Sequence, residues 1–323
     1  MKRPVLLICC VMLTACSQLE PYLLEIKAEW GNALAQCDLG FRYFNGKGVA
    51  KSDAKAAEWW QKAAVQGNAS AQGALGFMYS EGRGVPKDEA KAIEWYQKAA
   101  VFGDPTSQYV IGVRCAKGAK TPKNDVEAAY WLQMAAGQGY APAQTALGRM
   151  YEKGRGVPKD EAKALECFQK AAAQGDAKAQ IELGFRYEIG KGVSKDGAKA
   201  FECFQKAAVQ GNAFAQGLLG CLYENGMGTP KDEIKAIELY QTAAFQGVAI
   251  AQCNLACMYA DGSGVPKDDV RAYAWLNLAN ENDTPDPAKV RNKREEIGKM
   301  LTLEQKAEAQ KLSAELSEKI LKK

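Results

Sequence analysis

The dipeptide Ala-Gln or Ser-Gln begins at residues 35, 71, 107, 143, 179, 215 and 251, a spacing of 36 each time with no insertion. A period that strict means one short supersecondary unit copied seven times. Such a unit cannot bury its apolar face alone, so each copy must stack on its neighbours. The length of 323 residues, which would otherwise suggest two or three globular domains, is therefore better read as one array.

The second copy shows what each piece does. Ala71, Leu75 and Tyr79 lie at i, i+4 and i+8, on one face of a short helix. Gly76 on that helix lets a neighbouring backbone approach. Gly82 and Gly84 supply turn conformations that other residues resist, Pro86 stops helical continuation, and Asp88 caps a second helix running to Ala99 and Ala100. Gly103 suits the left-handed position past its end, and Asp104, like Asn68, Asp176 and Asn212 elsewhere, caps the next helix at once.

The pattern A-x-x-x-L-G-x-x-Y, G-x-G-V-P-K-D, K-A-x-x-W/F-x-x-x-A-A-x-x-G resembles the Sel-1-like repeat, a relative of the tetratricopeptide repeat. The resemblance covers residues 35–282. It implies an all-α fold, a right-handed α/α superhelical solenoid of seven helical hairpins with terminal capping helices. A partial copy precedes the array, since Lys27-Ala28 and Gly31-Asn32-Ala33 align with Lys62-Ala63 and Gly67-Asn68-Ala69. Residues 283–323 form the C-terminal cap: Thr284-Pro285-Asp286-Pro287 reads as a hinge, and Leu301-Thr302 with Gln305 as the start of a closing helix. Four departures mark local differences: Cys115 for the tyrosine, Lys120 for the second turn glycine, Ser194 for the proline and Ala256 for the helix glycine.

Residues 1–15 read as export machinery. Lys2 and Arg3 precede an apolar run from Val5 to Leu13 that is too short to span a bilayer. The ending Leu13-Thr14-Ala15-Cys16 resembles the bacterial lipobox, which implies acylation of Cys16 and places residues 16–34 as a lipidated N-terminus with a capping helix. By the sorting rule of diderm bacteria, Ser17 points to the outer membrane. The expected location is therefore exported and lipid-anchored in the cell envelope.

Composition removes several functional classes. The chain has no histidine, so Ser-His-Asp and Cys-His pairs and HExxH zinc sites are out of reach. A formal charge of +4, with both signs interspersed, gives no basic stripe for nucleic acid. Beyond Cys9, Cys10 and Cys16 there are seven cysteines, Cys37, Cys115, Cys167, Cys203, Cys221, Cys253 and Cys257, and an odd number cannot all pair within one chain. Most are expected to be small buried residues. Cys221, Cys253 and Cys257 share one face of the last two copies, yet three thiols without a histidine or a close-spaced second pair make a poor metal site, and neither a metal nor a cofactor is expected.

Repeated residues are explained by packing, so function is sought where copies differ. On the first helix of each pair, the face opposite Ala71, Leu75 and Tyr79 carries Phe41, Phe77, Tyr109 with Val113, Arg149 with Glu152, Phe185 with Glu188, and Glu224 with Cys221. Similarity to tetratricopeptide arrays implies that this is a concave face, and its aromatic anchors flanked by charges suit a protein or peptide segment. A stripe at this spacing equally describes packing against the adjacent helix. Two other readings stand beside the scaffold: a β-lactamase or a penicillin- or peptidoglycan-binding protein, by resemblance to cysteine-rich secreted relatives, and glycan binding on the aromatic rings. No nucleophile paired with a base supports catalysis.

Overall fold

The computed structural model describes residues 23–118, 123–279 and 286–322, and they are helical with tight connections. A helix over 23–29 (α1) precedes the array. The first helices of the seven copies are α2 (Ala33–Asn45), α4 (Ala69–Glu81), α6 (Pro105–Lys117), α8 (Ala141–Lys153), α10 (Ala177–Ile189), α12 (Ala213–Asn225) and α14 (Ala249–Asp261). Their partners are α3 (Asp53–Val65), α5 (Glu89–Val101), α7 (Asp125–Gly137), α9 (Glu161–Ala173), α11 (Gly197–Val209), α13 (Glu233–Ala244) and α15 (Asp269–Leu278), and the cap is α16 (Pro287–Met300) and α17 (Leu303–Leu321). Consecutive helical hairpins of this kind make the chain an α-solenoid. Two compact units divide it, Met1–Asp160 and Glu161–Lys323.

Side chains chosen by the repeat set the helix ends. Asn68, Asp104, Asp176 and Asn212 each accept a hydrogen bond from the amide three residues on, as expected of N-caps. Asp88 does the same for Lys91, and that amide holds its carboxyl below the ordinary aspartate range. Inside each hairpin a backbone bond closes the turn: Asp88 N donates to Tyr79 O at 2.9 Å, and Asn124 N to Cys115 O at 3.0 Å. Because this bond uses a carbonyl, the turn tolerates cysteine in place of tyrosine. Lys120, the other departure in that copy, lies outside the described residues, as do Thr284 and Pro285 of the expected hinge.

The helix glycine receives a side chain rather than the neighbouring backbone expected from the sequence. A Cβ on Gly40 would lie 2.5 Å from the Trp60 indole, on Gly76 2.9 Å from the Tyr96 ring, and on Gly184 2.5 Å from the Phe204 ring. Each ring belongs to the second helix of the same pair, twenty residues on, and is buried there. In the seventh copy the corresponding pair is Ala256 and Leu276, both buried, so the added methyl faces a narrower partner. Gly84 has a different task. At a φ of +68° it lies against the backbone at Asp53 and Ala54, where a Cβ would clash, and next to it Arg83 grips the Asp53 carboxylate through Nε at 2.9 Å and Nη2 at 3.0 Å.

The glutamine of the repeating dipeptide is the buried link between copies. Gln72 donates its side-chain amide to Ala64 O at 3.1 Å and Gln108 to Ala100 O at 3.0 Å, satisfying carbonyls at the end of the preceding second helix. In several copies, though not at Gln72, the oxygen of this glutamine accepts from a glutamine thirty residues on: Gln66 donates to Gln36 at 2.7 Å, Gln138 to Gln108 at 2.8 Å and Gln210 to Gln180 at 2.9 Å. Gln36 donates in turn to Ala28 O at 2.9 Å. The structural counterpart of Ala28 is thus Ala64, one residue beyond the alignment read from sequence, and α1 stands where a second helix would.

Candidate functional site

In the first unit the rings expected to line the first-helix face form one cluster over two copies. Phe41 meets Trp60 edge-on at 5.0 Å, Phe44 lies 5.5 Å from Trp60 and 6.1 Å from Phe77, and the Arg83 guanidinium covers Phe44 at 4.5 Å. Phe41 and Phe77 stay 40% and 37% exposed: Phe41 packs against the buried Trp60 and Phe77 against the half-buried Phe44, and both present the rest of their surface outward. Phe44 and Arg83 complete the cluster and were missed by a reading that took Phe41 and Phe77 alone. Arg83 is legible as the residue between Gly82 and Gly84, where a turn residue needs no special side chain. Farther along, the Tyr109 ring lies 5.6 Å from that of Tyr140 and tilted 60° to it, Arg149 is exposed and Glu152 half-buried.

In the second unit Phe185 lies 5.3 Å from the buried Phe204 and 6.4 Å from Phe214. Glu188 is half-buried on the same helix. Glu224 accepts from the Tyr240 hydroxyl at 2.6 Å, and that hydroxyl lies 3.2 Å from Cys221 Sγ, which also accepts from Asn254 Nδ2 at 3.3 Å. Burial pushes the Tyr240 hydroxyl and the Cys221 thiol above their ordinary pKa ranges. Glu224 is therefore committed to a core phenol as well as being on the expected face. Beyond it, α14 and α16 enclose a cavity of about 780 Å³ lined by Cys253, Cys257, Asp261, Lys293 and Glu296 among others.

The cysteines depart from the expectation that most would be buried. Cys37 and Cys115 are, but Cys167, Cys203, Cys221, Cys253 and Cys257 are half-buried. All seven are free thiols. Desolvation pushes Cys37 up to about 11 and Cys253 up to about 12, leaving both as neutral thiols at physiological pH. Among the described residues no three cysteines and carboxylates converge in a group that could hold a metal ion. Cys16 and the segment 1–15 lie outside the described residues.

The spacing Ser52-x-x-Lys55 matches the S-x-x-K pattern of serine enzymes that act on β-lactams. Its geometry here is that of a helix cap. Ser52 Oγ accepts from the Lys55 amide at 3.3 Å, and Lys55 Nζ lies 5.2 Å from the centre of the Tyr43 ring.

A second exposed apolar feature lies on the other helix of the third copy. Most second helices present a glutamate and a lysine four residues apart, as in Glu58 and Lys62, Glu94 and Lys98, or Glu166 and Lys170, whose ammonium and carboxylate are 2.6 Å apart. In α7 the same two positions are Tyr130 and Met134, 55% and 45% exposed, and Val126 one turn earlier is 70% exposed. Comparing copies on the second helix as well as the first reveals this stripe in the sequence. No helix among the described residues is long and apolar enough to cross a membrane.

The Sel1 repeat family model matches residues 33–68, 69–100, 105–140, 141–176, 177–212, 213–248 and 249–283, nearly the span expected from the dipeptide spacing. Among solved structures the chain is similar to a Sel1 repeat protein from Oxalobacter formigenes, at 37% identity and a TM-score of 0.63, covering 84% of this chain and 79% of that one. It is also similar to a protective antigen present in uropathogenic Escherichia coli strains that displays the same repeat fold, at 29% identity and a TM-score of 0.53, covering 92% of this chain and 79% of that one. No curated protein matches the chain in a sequence comparison. Seven matched copies across most of its length make this chain a member of the Sel1 repeat family.

Proposed function

We propose that this chain is a non-catalytic scaffold, lipid-anchored through Cys16 at the bacterial cell envelope, whose first helices present a face that holds a segment of a partner protein. The observation that carries the reading is the ring cluster of Phe41, Phe44 and Phe77 under Arg83. Phe41 and Phe44, packed on the buried Trp60, lose little conformational freedom when a partner covers their other side, which is the economy expected of an anchor in an interface. Glu152, Glu188 and Glu224, at equivalent positions in successive copies, add polar groups beside Tyr109, Arg149 and Phe185.

The lipobox-like ending before Cys16 and Ser17 after it support export and an outer-membrane location in a diderm bacterium. Hydrolysis of β-lactams is the weaker alternative, because Ser52 is used as a helix cap. Peptidoglycan binding on the same rings would be seen as binding that free glycan strands compete away.

The test is a chain carrying alanine at Phe77, Arg149 and Phe185. It should keep its helical content and lose binding to an envelope partner at least tenfold. Loss of helical content instead would identify these residues as core, and turnover of a chromogenic β-lactam by the unmodified chain would replace the scaffold with an enzyme.

A further inference from the structure

The outer face of α1 carries an exposed apolar stripe flanked by Lys27 and Glu29, where the end of a solenoid requires polar groups. Leu24 and Ala28 turn inward and pack with Ala35, Leu39, Tyr43 and Trp59. Leu23, Ile26 and Trp30, at i, i+3 and i+7, turn outward and are 52%, 41% and 86% exposed. The Trp30 amide still donates to Ile26 O at 3.0 Å, so the helical register extends to the indole. Leu34, just past the Gly31-Asn32 turn, is 74% exposed. Terminal units of a solenoid need a polar outer face for solubility. In the C-terminal cap the body of helix α17 follows that rule, exposing Glu304, Glu308, Lys311, Glu315 and Lys319, and exposed leucines stand only at its two ends, Leu303 and Leu321.

We infer that Leu23, Ile26, Trp30 and Leu34 rest in the surface of the lipid bilayer that receives the acyl chains of Cys16. This rests on the lipid-anchor reading given above and adds to it a docked first copy in place of a free tether. Six residues lie between Cys16 and Leu23, and even fully extended that stretch reaches only about 25 Å. The patch is thereby confined to the neighbourhood of the membrane. An indole beside aliphatic side chains suits the headgroup boundary, where its ring is apolar and its N–H remains wet. Glu25, Lys27 and Glu29 give the same segment both signs of charge. Attraction is therefore apolar, and binding should persist on zwitterionic lipid with little dependence on salt.

The test uses the full chain matured in a diderm host and reconstituted into phosphatidylcholine vesicles with brominated acyl chains, which quench tryptophan at short range. Wild type and Trp30→Phe are compared, and the intact mass reports separately whether Cys16 is acylated. The inference expects a quenched component in the wild type that is absent from Trp30→Phe. Equal quenching in an acylated pair would overturn it, and would mean that the chain itself or a second copy covers the patch. An unacylated mass would sink the anchor alone. The patch is then judged on the Cys16→Ser chain, whose sedimentation with phosphatidylcholine vesicles should fall at least fivefold in Trp30→Glu at unchanged helical content. Equal sedimentation would overturn the inference there.

Discussion

Gln246 donates its side-chain amide to Gln216 Oε1 at 2.9 Å, a bond between residues thirty apart that recurs at Gln66 and Gln36, Gln138 and Gln108, and Gln210 and Gln180. In the second copy the donor position is Phe102, 65% exposed, and the buried Gln72 Oε1 has no hydrogen-bond partner. A buried acceptor left unsatisfied costs more than a made bond contributes. Phe102→Gln should therefore stabilise the chain by about 1 kcal/mol, read as a higher denaturation midpoint at unchanged slope. No gain would show that water already satisfies Gln72.

The pairing of helix glycine with a ring makes a sharper demand. Gly184→Ala places a methyl 2.5 Å from the Phe204 ring and should cost about 2 kcal/mol by overpacking. Phe204→Leu in the same chain should recover part of that loss, because Ala256 and Leu276 coexist in the seventh copy. Strictly additive losses in the double variant would refute the compensation.

Arg186 buries its side chain almost completely and pairs with Glu161, Nη1 to Oε2 at 3.2 Å, while its guanidinium covers Phe168 at 5.0 Å. Removing one partner leaves the other uncompensated, so Glu161→Ala should cost about 2 kcal/mol. Arg186→Met should cost less, since Met78, Met150 and Met258 occupy the equivalent position in other copies. A larger loss in the methionine variant would mean that the arginine contributes beyond its charge.

Alkaline pH supplies a fourth check. Burial raises the Cys37 and Cys253 thiols from an ordinary 9.0 to about 11 and about 12, so the folded chain holds its protons more tightly than the unfolded one. Stability from these groups is complete below pH 9 and is lost as pH rises from there through the folded values. Melting temperature should therefore fall between pH 9 and 11, and less steeply in a chain with Cys37→Ala and Cys253→Ala. Parallel curves would remove the thiols from the account.

Much of this architecture is legible in the sequence because the copies check one another. The caps at Asn68, Asp88 and Asp104 follow from residue type and position, and so do the turns at Gly82 and Gly84. The ring that fills the space over Gly76 was hidden, because a glycine announces that something comes close and not what. Nor does sequence show that Gln72 bonds Ala64, since the glutamine pairs with a carbonyl, which every residue carries. For the site, sequence gives Phe41, Phe77 and Phe185 equivalent positions on their own helices, but the sharing of Phe41 and Phe185 between core and surface depends on Trp60 and Phe204, each in another helix. The stripe of Val126, Tyr130 and Met134 was readable by the same comparison of copies, applied to the second helix.

The central claim is that a protein partner lies along the first helices. Photocrosslinking in intact cells tests it most directly, with a benzophenone amino acid placed in turn at Phe77, Phe185, Tyr130 and the solvent-facing Glu58. The account predicts one discrete adduct of the same mass increment from Phe77 and Phe185 and none from Glu58. An adduct from Tyr130 alone, or equal adducts from all four positions, would contradict it.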